Sequence, residues 1–487
     1  MVHSFSSGAC LDLGAFDPAR DDCGVAHHVE RSQKVLSWVV LMEDRQPVFF
    51  HGYLGFDPDA PVPLNRHGPR ADAWRQKDVK RLVDSFHAHG VKVLFGYWTH
   101  ECSFVDERHP ELVMREATGE LWQDLTQMNA DFNPLRRMRA DADHGVREGE
   151  RYATWSARRY AQLARDFGFD GLFLGDGAMG FRRHGQDWKD LRHLDYHEEW
   201  VAEFAADVRC ARHEGCALAR PGASTPEHAQ DIHASHWEEW VAFNTERWTD
   251  YYRTMAEAVH ATGGLLAAYN CMNYDPALAR QHGVDYRGIA EAGLDILVFQ
   301  AYDYAWGPLG PFGFLNIARK DLETNLQTLL RTRAHVGFDT RMQIVVTVET
   351  EDEVETWNAP VPHTLGELYH YGNALAHDGR QWRRAADGAF VVWGNSVAAP
   401  EWRALAAAFA ALAATPHAPR AALLWDESEI ERVVAAGTPS AKDPDVLYAH
   451  LDGPGEDARP DLRASAIMSA KAAREAGHPP APVQRAG

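Results

Sequence analysis

FDGLFLGDGAMG, residues 169–180, is the stretch from which the rest of the chain is read. An apolar run of Leu172, Phe173 and Leu174 ends abruptly in Gly175-Asp176-Gly177. A run that is apolar at every position, rather than at alternate ones, suits a strand covered on both faces. The carboxylate at its end has two readings. Asp before Gly is a common turn pair. An acid flanked by glycines at the end of a buried strand also leaves room for a ligand to approach.

Eight other runs share this character: KVLSWVVLMED (34–44), PVFFHGYLG (47–55), VKVLFGYWTHE (91–101), GGLLAAYNCMNY (263–274), LDILVFQAYDY (294–304), MQIVVTVETE (342–351), GAFVVWGNS (388–396) and RAALLWDES (420–428). Segments of helical period lie between them. In 73–90, Val79, Leu82, Val83 and Phe86 fall on one face and the pattern stops at Gly90. Residues 151–168, 240–264 and 401–416 repeat the pattern. Strands alternating with helices imply parallel strands joined by crossovers. About eight such units predict an α/β fold, a (β/α)8 TIM barrel with long βα loops and a short C-terminal extension. The competing arrangement, an open doubly wound sheet, normally carries a glycine-rich phosphate loop, and the chain has no GxGxxG or GxxxxGK[ST]. The expected division is an N-terminal extension (1–35), the barrel (36–436) and a partly disordered tail (437–487).

The chain has 487 residues, 45% hydrophobic and 24% charged, with a net charge of -21. That balance is typical of a soluble globular protein and argues against a nucleic-acid partner, which calls for a basic face. The N-terminal residues lack the basic-then-apolar pattern of a secretory signal, and no apolar stretch has the length of a membrane span. The six cysteines (Cys10, Cys23, Cys102, Cys210, Cys216, Cys271) form no CxxC pair. They read as reduced thiols in a cytoplasmic protein with neither nucleic-acid nor membrane partners.

In a barrel of this kind the site lies at the strand C-termini. Those positions carry His51, Tyr97, Trp98, His100, Glu101, Asp176, Tyr269, Asn270, Gln300, Tyr302, Asp303, Trp306, Glu349 and Trp393. Aromatic faces stack on the C–H faces of sugar rings, while acids, amides and imidazoles bond hydroxyls. Any single Trp of the 16 can be packing, so the collection is what points to a carbohydrate substrate. Glycosidic cleavage needs two carboxyl groups flanking the bond. Asp176 is the leading candidate for nucleophile or base, and Asp303 or Glu349 for its partner ahead of Glu101. The others are candidate substrate contacts. No cofactor and no metal are expected. A metal-dependent hydrolase is the enzymatic rival, but FFHGY supplies a lone His51 where a His-x-His pair is wanted, and His233 and His236 have no carboxylate at ligand spacing. A non-catalytic sugar-binding barrel is the other rival.

The order of these pieces resembles the TIM-barrel glycoside hydrolases over roughly residues 45 to 430. HPELVMREATGELW (109–122) is similar to the hPEW loop of alpha-galactosidase-, dextranase- and related sugar hydrolases. ARDFGFDGLFLGDG (164–177) resembles their fGfDGi.lD strand, and the resemblance implies that Asp176 is the nucleophile. VFQAYDYAW (298–306) resembles the Tyr-Asp strand of chitinase-like barrels, which implies a place in the site for Tyr302 and Asp303. The chitinase pattern D-G-x-D-x-D-x-E is not kept. Phe173, Gly175 and Gly177 stand where it has acids, so chitinase chemistry is not expected, and no subfamily is assigned.

Overall fold

The computed structural model describes residues 6–42, 48–62, 74–98, 103–121, 132–175, 195–207, 224–270, 276–299, 322–348, 368–369, 371–392, 394, 397–412, 423–425 and 466–469. Its centre is a closed barrel of eight parallel strands. In chain order these are β1 (Ser6–Asp12), β2 (Trp38–Met42), β3 (Lys92–Trp98), β4 (Gly171–Gly175), β5 (Leu265–Asn270), β6 (Ile296–Phe299) and β7 (Gln343–Val348). Two short strands, β8 (Leu375–His377) and β9 (Trp382–Arg384), then precede the eighth barrel strand, β10 (Gly388–Val391), which closes on β1. A path through the paired residues Asp12, Met42, Gly96, Phe173, Ala267, Ile296 and Gln343 returns, by way of β10, to a level two residues below Ser6. The stagger is therefore about eight residues, the shear of a (β/α)8 barrel.

Seven of the nine apolar runs supply barrel strands. Residues 47–55 instead contain the helix Val48–Gly52, whose Phe49 and Phe50 pack on Phe95 of β3. That run is apolar because it is buried in the helical layer. Residues 420–428 contribute β11 (Leu423–Trp425) to a separate four-stranded sheet with β8, β9 and β12 (Ala466–Ser469). The barrel thus begins at Ser6, inside the segment expected to be an extension, and four residues of the expected tail pair in the small sheet.

β1 escapes a search for apolar runs because small residues fill it. A Cβ on Gly8 would meet the indole of Trp38 at 2.3 Å. One inward cluster fills the barrel: Cys10, Trp38, Val40, Met42, Leu94, Phe173, Ala267, Tyr269, Ile296, Val298, Val345, Phe390 and Val392. Large rings require small neighbours at this packing density. Trp38 stacks on Phe390 with centroids 5.1 Å apart, and Phe390 stacks on Phe173 at 5.6 Å. Gly96 makes way for Val40, whose Cγ1 lies 2.4 Å from a would-be Cβ. A second, larger cluster joins the outward strand faces to the helices. The predicted face of the helix Gln76–Ala88 (Val79, Leu82, Val83, Phe86) is buried in it. The helix Tyr152–Phe167 ends at Gly168, which takes the left-handed conformation (φ 82°) that glycine tolerates.

The N-terminal rim carries one arrangement four times. Ser37, Asp170, Asp295 and Asp387 each stand directly before a strand, β2, β4, β6 and β10. Each donates its backbone N–H to the second residue of the neighbouring strand: Ser7, Val93, Leu266 and Ile344. Each backbone carbonyl accepts from the first residue of the strand on its other side: Lys92, Leu265, Gln343 and Ser6. The side chain then returns to the same second residue. Asp170, Asp295 and Asp387 accept the N–H groups of Val93 (2.8 Å), Leu266 (2.8 Å) and Ile344 (2.9 Å). Ser37 Oγ bonds Ser7, donating to its carbonyl at 2.8 Å. Each carboxylate also meets a base from the helix before that neighbouring strand: His87 at 2.7 Å, His260 at 2.7 Å, and Arg333.

Donors that lose a buried acceptor cost more than donors that lose an exposed one. The Asp295 side chain is 5% exposed and that of Asp170 is 31% exposed. Asp295→Ala should therefore lose about 3 kcal/mol of stability and Asp170→Ala about 1 kcal/mol, as read from urea unfolding midpoints at pH 7.

Candidate functional site

At the C-terminal mouth the strands' alternation sorts side chains into two sets. Asp12, Met42, Gly96, Gly175, Tyr269, Val298 and Thr347 share the parity of the interior cluster. Tyr97 and Asn270 have the opposite parity. Tyr97 is stacked on Phe50 with centroids 4.5 Å apart, in the layer under the helices. Asn270 is fully buried, and its amide donates to the Tyr286 hydroxyl of the helix Tyr286–Glu291.

His51 lies in that outer layer as well. Its ring is parallel to Phe104 (4.7 Å) and Trp155 (5.6 Å), and its Nε2 shares a hydrogen bond of 2.9 Å with Tyr152. Tyr269 stands inside the barrel, 6.2 Å from Phe173. Phe173 and Gly175 hold the inward positions where the chitinase pattern has acids. Trp98 ends β3. Asp176, Asp303 and Glu349 lie outside the described residues, as do His100, Glu101, Gln300, Tyr302, Trp306 and Trp393.

One carboxylate at the mouth escapes the sequence reading. Asp12 ends β1, and its Oδ1 accepts the Gly14 N–H at 2.6 Å, starting the 3-10 turn Leu13–Ala15. The signal that would have found it is the pair Leu11-Asp12 followed by Leu13-Gly14, a strand end before a tight turn. The small residues of β1 hide it, since they do not form an apolar run.

The loop after β3 is anchored by its own polar groups. Its HPEL segment forms the 3-10 turn Pro110–Leu112. Glu111 Oε1 accepts the Arg139 N–H (2.8 Å) and meets His109 Nδ1 (2.9 Å). Burial pushes the Glu111 carboxyl up, but these bonds outweigh it and hold it below its ordinary value. Glu111 therefore acts here as an ionised clasp within the loop. His109 is also 3.7 Å from Asp141, which meets His144 at 2.9 Å.

A second clasp ties this loop to the segment before the helix Glu198–Ala205. Asp195, fully buried, accepts from Arg115 N (3.1 Å), Asn133 Nδ2 (2.9 Å) and His197 N (3.0 Å). Burial raises its carboxyl above the ordinary range. Arg136 crosses the same junction, donating to the Val113 carbonyl and to Glu199, and meeting His197 Nε2 at 3.0 Å. Burial, then Arg136 and Arg115, pull the His197 imidazole down to about 3.

No protein-family model matches this sequence, and no curated protein matches it in sequence. Among solved structures it is similar to a beta-galactosidase from the psychrophilic Marinomonas ef1, at 14% identity and a TM-score of 0.49 over 86% of this chain. The chain spans 63% of that protein's length. It is also similar to a GH18 chitinase from Pseudoalteromonas aurantia (8% identity, TM-score 0.39, covering 83% of this chain and 99% of that one). A beta-N-acetylhexosaminidase from Bacteroides fragilis NCTC 9343 gives 10% identity and a TM-score of 0.40, covering 92% and 70%. Among the described residues, no helix is long and apolar enough to cross a membrane.

The low His197 value fixes a direction for stability. As pH falls below about 6.5 the unfolded chain takes this proton first, and the native state does not follow until about pH 3. Stability is therefore lost on acidification. Between pH 7 and pH 5 the wild type should lose about 1 to 2 kcal/mol more than His197→Asn, measured as the difference between their urea unfolding free energies.

Proposed function

We propose that this chain is a glycoside hydrolase acting on an oligo- or polysaccharide, with a pair of carboxylates at the C-terminal mouth of the barrel. One observation carries the reading: β3, β4, β5, β6 and β7 are consecutive neighbours in the closed sheet. The C-terminal ends of β3, β4, β6 and β7 run within a few residues into His100 and Glu101, Asp176, Gln300, Tyr302 and Asp303, and Glu349, and β5 between them carries inward Tyr269. One continuous wall of the mouth therefore leads into the acids, amides and aromatics that a sugar needs.

The strand order also bears on the pair. Asp176 follows β4 directly, Asp303 comes four residues after β6, and Glu349 follows β7 directly. The ends of β4 and β6 are two strand spacings apart, roughly 10 Å, and those of β4 and β7 three. Carboxyl groups on side chains reaching inward from such starting points cover the range of about 5 to 9.5 Å used by retaining and inverting enzymes. Glu349 stands two residues after inward Thr347, and Gln300 two after inward Val298. Counting by twos gives Glu349 the inward parity, whereas Asp176, one residue after inward Gly175, would need the turn that Gly175 and Gly177 permit to bring it into the mouth. Asp303 remains the alternative, flanked by Tyr302 and Tyr304.

The test uses a panel of 4-nitrophenyl glycosides and the matching unactivated disaccharides. Asp176→Asn should fold and bind sugar but lose 1,000-fold or more in kcat on every substrate cleaved. A variant lacking the acid, Glu349→Gln or Asp303→Asn, should keep much of its rate on the nitrophenyl leaving group, which departs without a proton, and lose it on disaccharides. Near-wild-type turnover by Asp176→Asn would remove Asp176 from the mechanism.

A further inference from the structure

We infer that His197 makes the junction between the loop after β3 and the helix Glu198–Ala205 a latch, closed while its imidazole is neutral and opened by protonation. The geometry of the ring carries this. Its Nε2 faces Arg136 Nη2 at 3.0 Å, and its Nδ1 faces the Glu199 backbone N–H at 3.2 Å. Both of those neighbours are donors only. A neutral imidazole has one lone pair to offer the two of them, and a protonated imidazole has none. Protonation therefore leaves a donor facing a donor at both nitrogens. It also sets a second cation 3.0 Å from the guanidinium of Arg136, which is itself buried. The ring holds its place only without the extra proton.

The surroundings do not offset that cost. Arg136 and Arg115 face the ring from the loop after β3. Glu199 is engaged with Arg136 at 3.2 Å and is 69% exposed, so water screens it. Asp195 accepts the backbone N–H of His197 together with the donors of Arg115 and Asn133. The helix Trp237–His260, on the other side of Glu198–Ala205, meets it through Trp240, Phe243 and Asn244, none of them charged. A ring that leaves gives up the cap on the first turn of Glu198–Ala205 and one of the contacts by which Arg136 reaches across the junction. Among the described residues neither joined segment pairs with a barrel strand, so the latch opens with the barrel closed. The closed junction holds the imidazole at about 3, through burial and then the two arginines, whereas an open one returns it to its ordinary 6.5. Each pH unit below 6.5 thus favours opening about tenfold. Asp195 works the other way. Burial raises its carboxyl, so a proton taken up there favours the closed form.

Hydrogen exchange of the native protein, read by mass spectrometry on peptides covering 113–117 and 195–201, tests the latch. His197→Asn is the control, because Asn keeps a cap and does not titrate, and it leaves the Asp195 contribution in place. After correction for the intrinsic pH dependence of exchange, protection of these peptides should fall about 25-fold more in the wild type than in His197→Asn between pH 7 and pH 5. It should change little with low concentrations of urea, whereas peptides from β3 and β5 keep a steep urea dependence. The imidazole 15N shifts of the wild type, which need no variant, should show His197 neutral at pH 5. An imidazole that titrates near its ordinary value with no loss of protection means that the charged ring stays in place, and overturns the inference. So does junction protection that falls with the same urea dependence as the barrel, since exchange then passes through global unfolding.

Discussion

The carboxylate placed just before a strand, returning to the backbone of its neighbour, is the constraint on which the barrel depends. Closing eight parallel strands requires each pair to keep its stagger. At the N-terminal rim that stagger is held at alternate strands by Ser37, Asp170, Asp295 and Asp387. The three aspartates also draw in a basic group from a helix, so one residue fixes two strands and the helix packed against them. The alternation makes the barrel a ring of four two-strand units at this end.

Filling the barrel imposes the next constraint. Trp38, Phe390 and Phe173 form a stacked series, and Gly8 and Gly96 are glycine because neighbouring side chains occupy the space a Cβ would need. The same rule explains why the first five residues of β1 are Ser, Ser, Gly, Ala and Cys. Polar chemistry is thereby kept off the interior and left to the residues that follow the strands. The loops there are held by buried clasps, Glu111 within one and Asp195 with Arg136 between two, so that segments distant in sequence meet at defined positions.

Seven barrel strands were legible because they are continuous apolar runs, and the helices because their apolar faces recur at helical spacing. The helix Val48–Gly52 was not, since five apolar and aromatic residues look alike whether they fill a strand or a buried turn of helix. Among the candidate site residues, strand parity for Tyr97 and Asn270, and a place in a helix for His51, decided what composition could not. Tyr97, Asn270 and His51 are as polar or aromatic as any sugar contact, yet they bond and stack within the outer layer. Tyr269 lies inside the barrel and Asp12 ends a strand at its mouth.

By itself, then, the sequence determined the class of fold, because hydrophobic period and strand length are local properties that survive without knowledge of partners. It also determined the chemical character of the strand ends. Only the tertiary structure decided where the barrel closes, because closure depends on the pairing of β1 with β10, from Ser6 to Gly388, across most of the chain. The same pairing makes Asp12 part of the mouth. A one-residue change in parity moves a side chain from the mouth to the helical layer, and parity is set by register between strands that no local pattern contains.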